Sequence, residues 1–252
     1  MTMPNSVMST LQQRRSTVAE AVPVACLRDG QRQELLGLMS DHFENIDKPQ
    51  FFADLDEKHS VILISDPRVE RIVGFATLGI LSTSLDGEPL AAIFAGDTVV
   101  EPAYWGHHAW IRHWSRQAFE LAESVAPDPA YFLLLTSTHR SYRFLPGFFR
   151  DYWPRPDHTL SPLMRRRRDA LVRQKFAREY DAASGVISLR RPTPVREHRV
   201  DPVADTRDDT EANYFRKLNP GYQRGDFLVC FTEYSWANMT ALGRRISRQQ
   251  KC

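Results

Sequence analysis

The stretch Ala95 to Trp114, AGDTVVEPAYWGHHAWIRHW, changes its structural period within a few residues. An apolar run ends in Glu101-Pro102, passes through Tyr104-Trp105-Gly106, and becomes an aromatic and histidine-rich segment at helical spacing. A strand, a short turn and a helix start in that order leave unpaired backbone N–H groups where an anion can be met. The segment therefore predicts a ligand-binding crossover.

Upstream, Leu35, Leu36, Leu38, Met39 and Phe43 recur near helical spacing after Asp29-Gly30, and Lys48-Pro49 break that helix. Phe51, Phe52 and Leu55 predict a short second helix ending near Lys58-His59. The period then shortens. Val61 to Ile64 and Arg71 to Thr83 read as a hairpin, and Asp86-Gly87-Glu88-Pro89 turns the chain into a third strand from Leu90 to Val100. Downstream, Trp105 to Ser124 is a helix closed by Pro127 and Pro129, and Tyr131 to Thr136 is a strand, so that strand, helix and strand form a parallel crossover. A short helix over Ser141 to Tyr152, a basic helix from Leu163 to Tyr180, a strand Phe227 to Phe231 and a helix Trp236 to Ile246 follow. Arg190 to Asp209 reads as a surface loop.

Two helices, three antiparallel strands, a helix, a strand and a helix give the element order of the GCN5-related N-acetyltransferase (GNAT) fold. Asp97-Thr98-Val99-Val100-Glu101-Pro102-Ala103-Tyr104-Trp105-Gly106 is similar to that family's fourth strand and the start of its acyl-CoA site. Thr138-His139-Arg140-Ser141-Tyr142-Arg143-Phe144-Leu145 resembles the segment after its fifth strand. The resemblance covers about Gln31 to Pro154 and implies an α/β (α+β) architecture, a mixed, mainly antiparallel central sheet flanked by helices. It further implies an acyltransferase that moves an acyl group from a thioester, acyl-CoA or an acyl carrier protein, to an amine of a small molecule. Val99, Val100, Glu101, Trp105, Gly106, His107 and His108 would then hold the donor, with backbone N–H near Val99 to Glu101 polarising its carbonyl.

Three positions depart from the family pattern. His108 and Trp110 stand where further glycines would wrap a pyrophosphate, and Leu145 stands where a tyrosine often serves as general acid. A noncatalytic ligand-binding member of the fold, or an enzyme of different chemistry such as a decarboxylase or lyase, is the alternative those changes allow.

Asp97, Glu101, His107, His108, His139 and Tyr142 are the candidate catalytic residues. Asp97 and Glu101 share one strand face at even spacing, and His139 ends a strand. His107, His108 and His113 lack the same-face spacing of metal ligands, so no metal is expected. The aromatic group around Trp105, Trp110, Trp114, Phe148 and Phe149 is chiefly core, with two or three members available to a ligand. Arg165 to Arg168 with Arg173, Lys175 and Arg178 make a basic helix, a solvated face or a dock for an acidic acyl carrier protein.

The 252 residues divide into a tail (1–25), a core (26–154) and a C-terminal extension (155–252) that carries the basic helix and a final strand and helix packed on the core. With 42% apolar and 25% charged residues, the composition is that of a globular protein. A net charge of +2 gives no general attraction for nucleic acid. Cys26, Cys230 and Cys252 lie far apart without metal-finger spacing, which fits a reducing, cytoplasmic setting, and no stretch is apolar enough to span a membrane.

Overall fold

A computed structural model describes residues 17–105, 109–124, 129–197 and 210–248. Its strands are β1 (Val18–Pro23), β2 (Ser60–Asp66), β3 (Arg71–Leu85), β4 (Glu88–Val100), β5 (Tyr131–Thr136), β6 (Tyr180–Asp181), β7 (Val186–Ile187) and β8 (Phe227–Glu233). Its α-helices are α1 (Asp29–His42), α2 (Lys48–Asp56), α3 (Ala109–Ser124), α4 (His139–Tyr142), α5 (Phe144–Phe148), α6 (Pro162–Phe176), α7 (Thr210–Leu218) and α8 (Ala241–Ser247). The strands form one sheet in the order β1-β2-β3-β4-β5-β8-β7-β6. Every pairing is antiparallel except β4 with β5. The mixed, mainly antiparallel sheet flanked by helices is the architecture the sequence predicts.

Local chemistry explains most boundaries. The β3–β4 hairpin closes on Asp86 (φ 55°) and Gly87 (φ 85°), the left-handed pair of a tight two-residue turn. Lys48-Pro49 begins α2, whereas the sequence reading had it break the preceding helix. Asp47 caps Gln50 N at 2.9 Å, and a proline in the first turn forfeits only an N–H that has no helical partner. Ser161 caps α6 at Met164 N (3.2 Å) ahead of Pro162 in the same way. The last helix starts at Ala241, five residues later than expected, where Thr240 caps Gly243 N at 3.0 Å. Trp236 instead stacks on Phe119 with ring centroids 4.5 Å apart.

Alternation along the strands splits the core between two faces. On one, Ile62, Leu78, Ile93, Phe132 and Leu134 pack against Trp114, Ala118 and Leu121 of α3. On the other, α1 and α2 cover Val61, Leu63, Phe75 and Val99 through Leu35, Leu38, Phe51 and Leu55. Farther along that second face, Leu171 and Val172 of α6 cover Ala92, Phe94, Leu133, Val229 and Phe231.

Two elements lie beyond the sequence reading. Val18–Pro23, within the stretch expected as a tail, is an edge strand paired with β2, and α7 went unrecognised. In the part expected as an extension, β8 pairs with the whole of β5, from Tyr131↔Glu233 to Thr136↔Leu228. Trp153 exchanges two 2.8 Å backbone hydrogen bonds with Phe231, so the chain on either side of residue 154 shares one sheet. Residues 192–196 of the expected surface loop run beside the end of α1, with Glu44 N bonded to Pro194 O and Arg196 N to His42 O. No helix among the described residues is long and apolar enough to cross a membrane.

Phe132 has the rings of Trp114, Phe149, Tyr234 and Phe144 within 6.0 Å of its own. Phe132→Ala is expected to destabilise the fold by about 3–5 kcal/mol in urea unfolding, and Phe132→Leu by clearly less.

A split between β4 and β5 as candidate active site

Thr77 of β3 faces two residues of β4. The register runs Ala76↔Thr98 and then Leu78↔Ala95, which leaves Gly96 and Asp97 together opposite Thr77 as a β-bulge. Position 96 has no room for a side chain, since a Cβ there would lie 2.3 Å from Thr77 Oγ1 and 2.5 Å from Lys58 Cε. The extra residue bends β4 at the point where its pairing with β5 stops. That pairing covers only Ala92 to Ala95 against Tyr131 to Leu134, while β5 continues to Thr136 alongside β8. Beyond the bulge the two parallel strands part. Burial follows the split: Leu90 to Ala95 are buried, Gly96 and Asp97 half-buried, and Thr98 exposed although β4 is an interior strand.

The backbone supplies donors to this opening. Glu101 N donates to Val73 O at 2.9 Å, and hydrogen-bonded pairs alternate along an antiparallel ladder. Val99 and Glu101 therefore direct their amides to β3, and Thr98 and Val100 direct theirs toward β5. Within and beside the expected stretch Val99 to Glu101, Thr98 and Val100 carry the N–H groups on the open side, and those of Val99 and Glu101 are directed to the sheet. Trp105 Nε1 donates to Val100 O at 2.8 Å, and the Arg140 guanidinium lies 4.1 Å from the centre of the Trp105 ring. This cation–π contact joins the chain that leaves β4 to the chain that leaves β5.

On the face shared by α2 and α6, a polar group interrupts the two apolar clusters. Lys175 of α6 contacts Asp54 Oδ1 (3.0 Å) and Glu57 of α2. Lys58 is buried, with Nζ 3.1 Å from Asp54 O and 5.2 Å from the centre of the Phe94 ring. Burial lowers the Lys58 pKa, against the pull of Asp97, and burial raises that of Asp97, against the pull of Lys58. Sequence reading missed Lys58 and Thr98. A lysine at a helix end and a threonine in a strand have no spacing of their own to mark them.

The sequence candidates fare unequally. Asp97 sits on the bulge. Glu101 is clamped by both guanidinium nitrogens of Arg71, one at 2.8 Å from Oε2, so its carboxylate already has a strong partner. His139 opens α4, half-buried, just past the end of β5. Tyr142 is buried, donates to Pro154 O at 2.8 Å, and packs on Phe215. Burial holds its hydroxyl far above the ordinary phenol range, which makes it a poor proton donor. Gly106, His107 and His108 lie outside the described residues. Among the described residues no group of three His, Cys, Asp or Glu side chains could hold a metal, and His113 is exposed on α3.

The arginine run of α6 is largely engaged with its own chain. Arg166 pairs with Asp86 (2.5 Å), Arg167 bonds Tyr131 Oη (2.5 Å), and Arg168 is buried against Asp169 (2.7 Å) with the Trp153 ring 4.2 Å away. Arg165, Arg166, Arg173 and Arg178 are exposed, as expected of a solvated face, while Arg168 is buried.

No known sequence family matches the chain, and no curated protein does. Parts of it resemble solved structures. A protein of Enterococcus faecalis described as a probable N-acyltransferase is 12% identical, with a TM-score of 0.41 over 54% of this chain and 33% of its own. The chain thus matches a third of that protein's length. A Trypanosoma brucei acetyltransferase is 20% identical, with a TM-score of 0.39 over 57% of this chain and 100% of its own. A GNAT-family N-acetyltransferase of Escherichia coli, solved with CoA, is 16% identical, with a TM-score of 0.38 over 52% and 68%. At such identity the likeness assigns no activity, and the chemistry has to come from the strand geometry.

The folded chain holds the Asp97 proton more tightly than the unfolded chain does, with Lys58, Asp54 and Lys175 as the charges facing it. Its contribution to stability is full at acid pH and is lost as pH rises from about 4 through the raised folded value. Asp97→Asn should therefore show a smaller fall of the urea midpoint with rising pH than the parent. A parent curve that gains on the variant over that window contradicts the assignment.

Proposed function

We propose that the protein is an acyltransferase that moves an acyl group from a thioester to an amine of a small molecule, with the split between β4 and β5 as its active site. The observation that carries this reading is the bulge at Gly96-Asp97, which ends the β4–β5 pairing and turns the Thr98 and Val100 amides toward the opening. Acyl transfer from a thioester builds negative charge on the carbonyl oxygen, and fixed backbone donors at that oxygen stabilise the transition state. Asp97 on the bulge and His139 beyond β5 are the groups to receive the proton that the amine loses. Glu101, held by Arg71, and Tyr142, held by Pro154, are less suited to proton transfer. His107 and His108 remain candidates for donor binding and proton transfer, with Gly106 for donor binding.

The donor is an acyl-CoA or an acyl carrier protein. Arg167 and Arg168 are engaged with Tyr131 and Asp169, while Arg165, Arg166, Arg173 and Arg178 are exposed and keep a basic surface for a carrier, so both donors stay in the test. A second reading, a noncatalytic cleft for a small ligand, draws on the contact of Arg140 with Trp105 at the mouth of the split.

Titration calorimetry with acetyl-CoA, longer acyl-CoAs and acylated carrier proteins is expected to detect binding of a thioester, with free thiol released when an amine acceptor is added. Thr98→Pro deletes a donor that β3 does not use, and is expected to slow transfer about a hundred- to a thousandfold with the circular dichroism spectrum retained. Absence of binding to every donor refutes the acyltransferase; binding without thiol release favours the noncatalytic cleft.

A further inference from the structure

Two glycines on neighbouring strands make a channel for one lysine. A Cβ on Gly79 of β3 would lie 3.3 Å from Lys58 Cδ, and one on Gly96 of β4 would lie 2.5 Å from Lys58 Cε. The aliphatic stem of Lys58 thus crosses the sheet over bare backbone, and the Phe94 ring lies near its ammonium. Any side chain at position 96 would displace the end of Lys58. The lysine is 9% exposed, yet it ends at the bulge where β4 leaves β5, two residues from the Thr98 amide. Its Nζ bonds only a carbonyl, Asp54 O, among described hydrogen-bond acceptors. Lys175, in contrast, is held by the carboxylates of both Asp54 and Glu57.

We propose that Lys58 is a self-acylation site, an amine of the protein's own chain that takes the acyl group from a thioester bound in the split. The inference rests on the acyl-transfer reading and adds a residue to it. The neutral Nζ attacks the thioester carbonyl carbon, a C–N bond forms and the C–S bond breaks. The thiolate leaves and takes up the proton that the nitrogen loses, with Asp97 as the neighbouring carboxylate that can pass it on. The products are an amide on Lys58 and a free thiol, with no oxidant or further reactant. An amide is stable to water, so the acyl group stays as a mark and is not an intermediate.

Burial and the neighbouring Lys175 favour the neutral amine, and Asp97, Asp54 and Glu57 oppose them; the net effect makes Lys58 less basic than an exposed lysine. Reaction would also remove the cation that stabilises ionised Asp97. The mark therefore alters the one carboxylate on the bulge as well as filling the space beside it.

The full chain is incubated with acetyl-CoA near neutral pH and digested for mass spectrometry, with thiol release and acetyl-CoA binding measured on the same samples. Acetylation of Lys58 well ahead of the exposed Lys48 and Lys217, lost when the protein is unfolded in urea, is the expected result. In Thr98→Pro the mark on Lys58 should fall while that on Lys48 and Lys217 stays as it was. Equal marking of all three lysines in the native protein, or a Lys58 preference that survives unfolding, reduces the reaction to background chemistry and overturns the inference. Binding of acetyl-CoA with transfer to an added amine, but no mark on Lys58, overturns it while the acyltransferase stands. No binding of any thioester brings both down.

Discussion

One surplus residue in β4 controls the centre of this molecule. Gly96 and Asp97 share the place opposite Thr77, and the bend they impose ends the only parallel pairing in the described sheet after four residue pairs. An interior strand normally has both rows of backbone groups paired, because a buried unpaired amide carries a large desolvation cost. Past the bulge, β4 keeps the row that faces β3 and presents the other to an opening. Thr98 becomes exposed in the middle of the sheet for the same reason. The split is thus a consequence of strand register, and the surrounding elements hold it open.

Those elements are unusually specific in how they do so. On one side of the opening, Trp105 is fixed by its bond to Val100 O and meets Arg140 from the far side. On the covered face, α2 and α6 meet through Lys175, Asp54 and Glu57, at the gap between two apolar clusters. With Asp54 35% and Glu57 62% exposed, each pair adds at most about 1 kcal/mol. Their larger effect is to place charge beside Lys58 and Asp97. The buried Lys58 and the half-buried Asp97 then sit next to the split between β4 and β5, each made less willing to ionise by burial.

Much of the fold was legible in the chain because it depends on local signals. Short apolar runs gave β2, β3 and β4, Asp86-Gly87 gave the turn between β3 and β4, and the helical spacing of Trp110, Ile111, Trp114 and Leu121 gave α3. Elements that depend on distant partners were not legible. β1 is a short strand held by pairing with β2, and the sequence of α7 carries its apolar residues Ala212 and Phe215 after a long charged stretch. Pro49 shows the same limit, since a proline reads as a break unless the cap before it is recognised. Asp97 was expected as a candidate site residue from its strand and motif, and it sits on the bulge. Which amides of Val99 to Glu101 face the opening was not legible, because which side of a strand points to which neighbour is set by register, and register is a property of the pair.

By itself the sequence determined most of the central elements and the crossover between β4 and β5, and it pointed to Ala95 to Trp114 for a candidate cleft. Only the tertiary structure decided which groups reach that cleft. Lys58 arrives there from a different helix end across Gly79 and Gly96, Glu101 is drawn away by Arg71, and Tyr142 is turned inward to Pro154. The reason is physical: period and turn chemistry act over a few residues along the chain, whereas burial, charge pairing and strand register depend on groups that folding brings together from far apart.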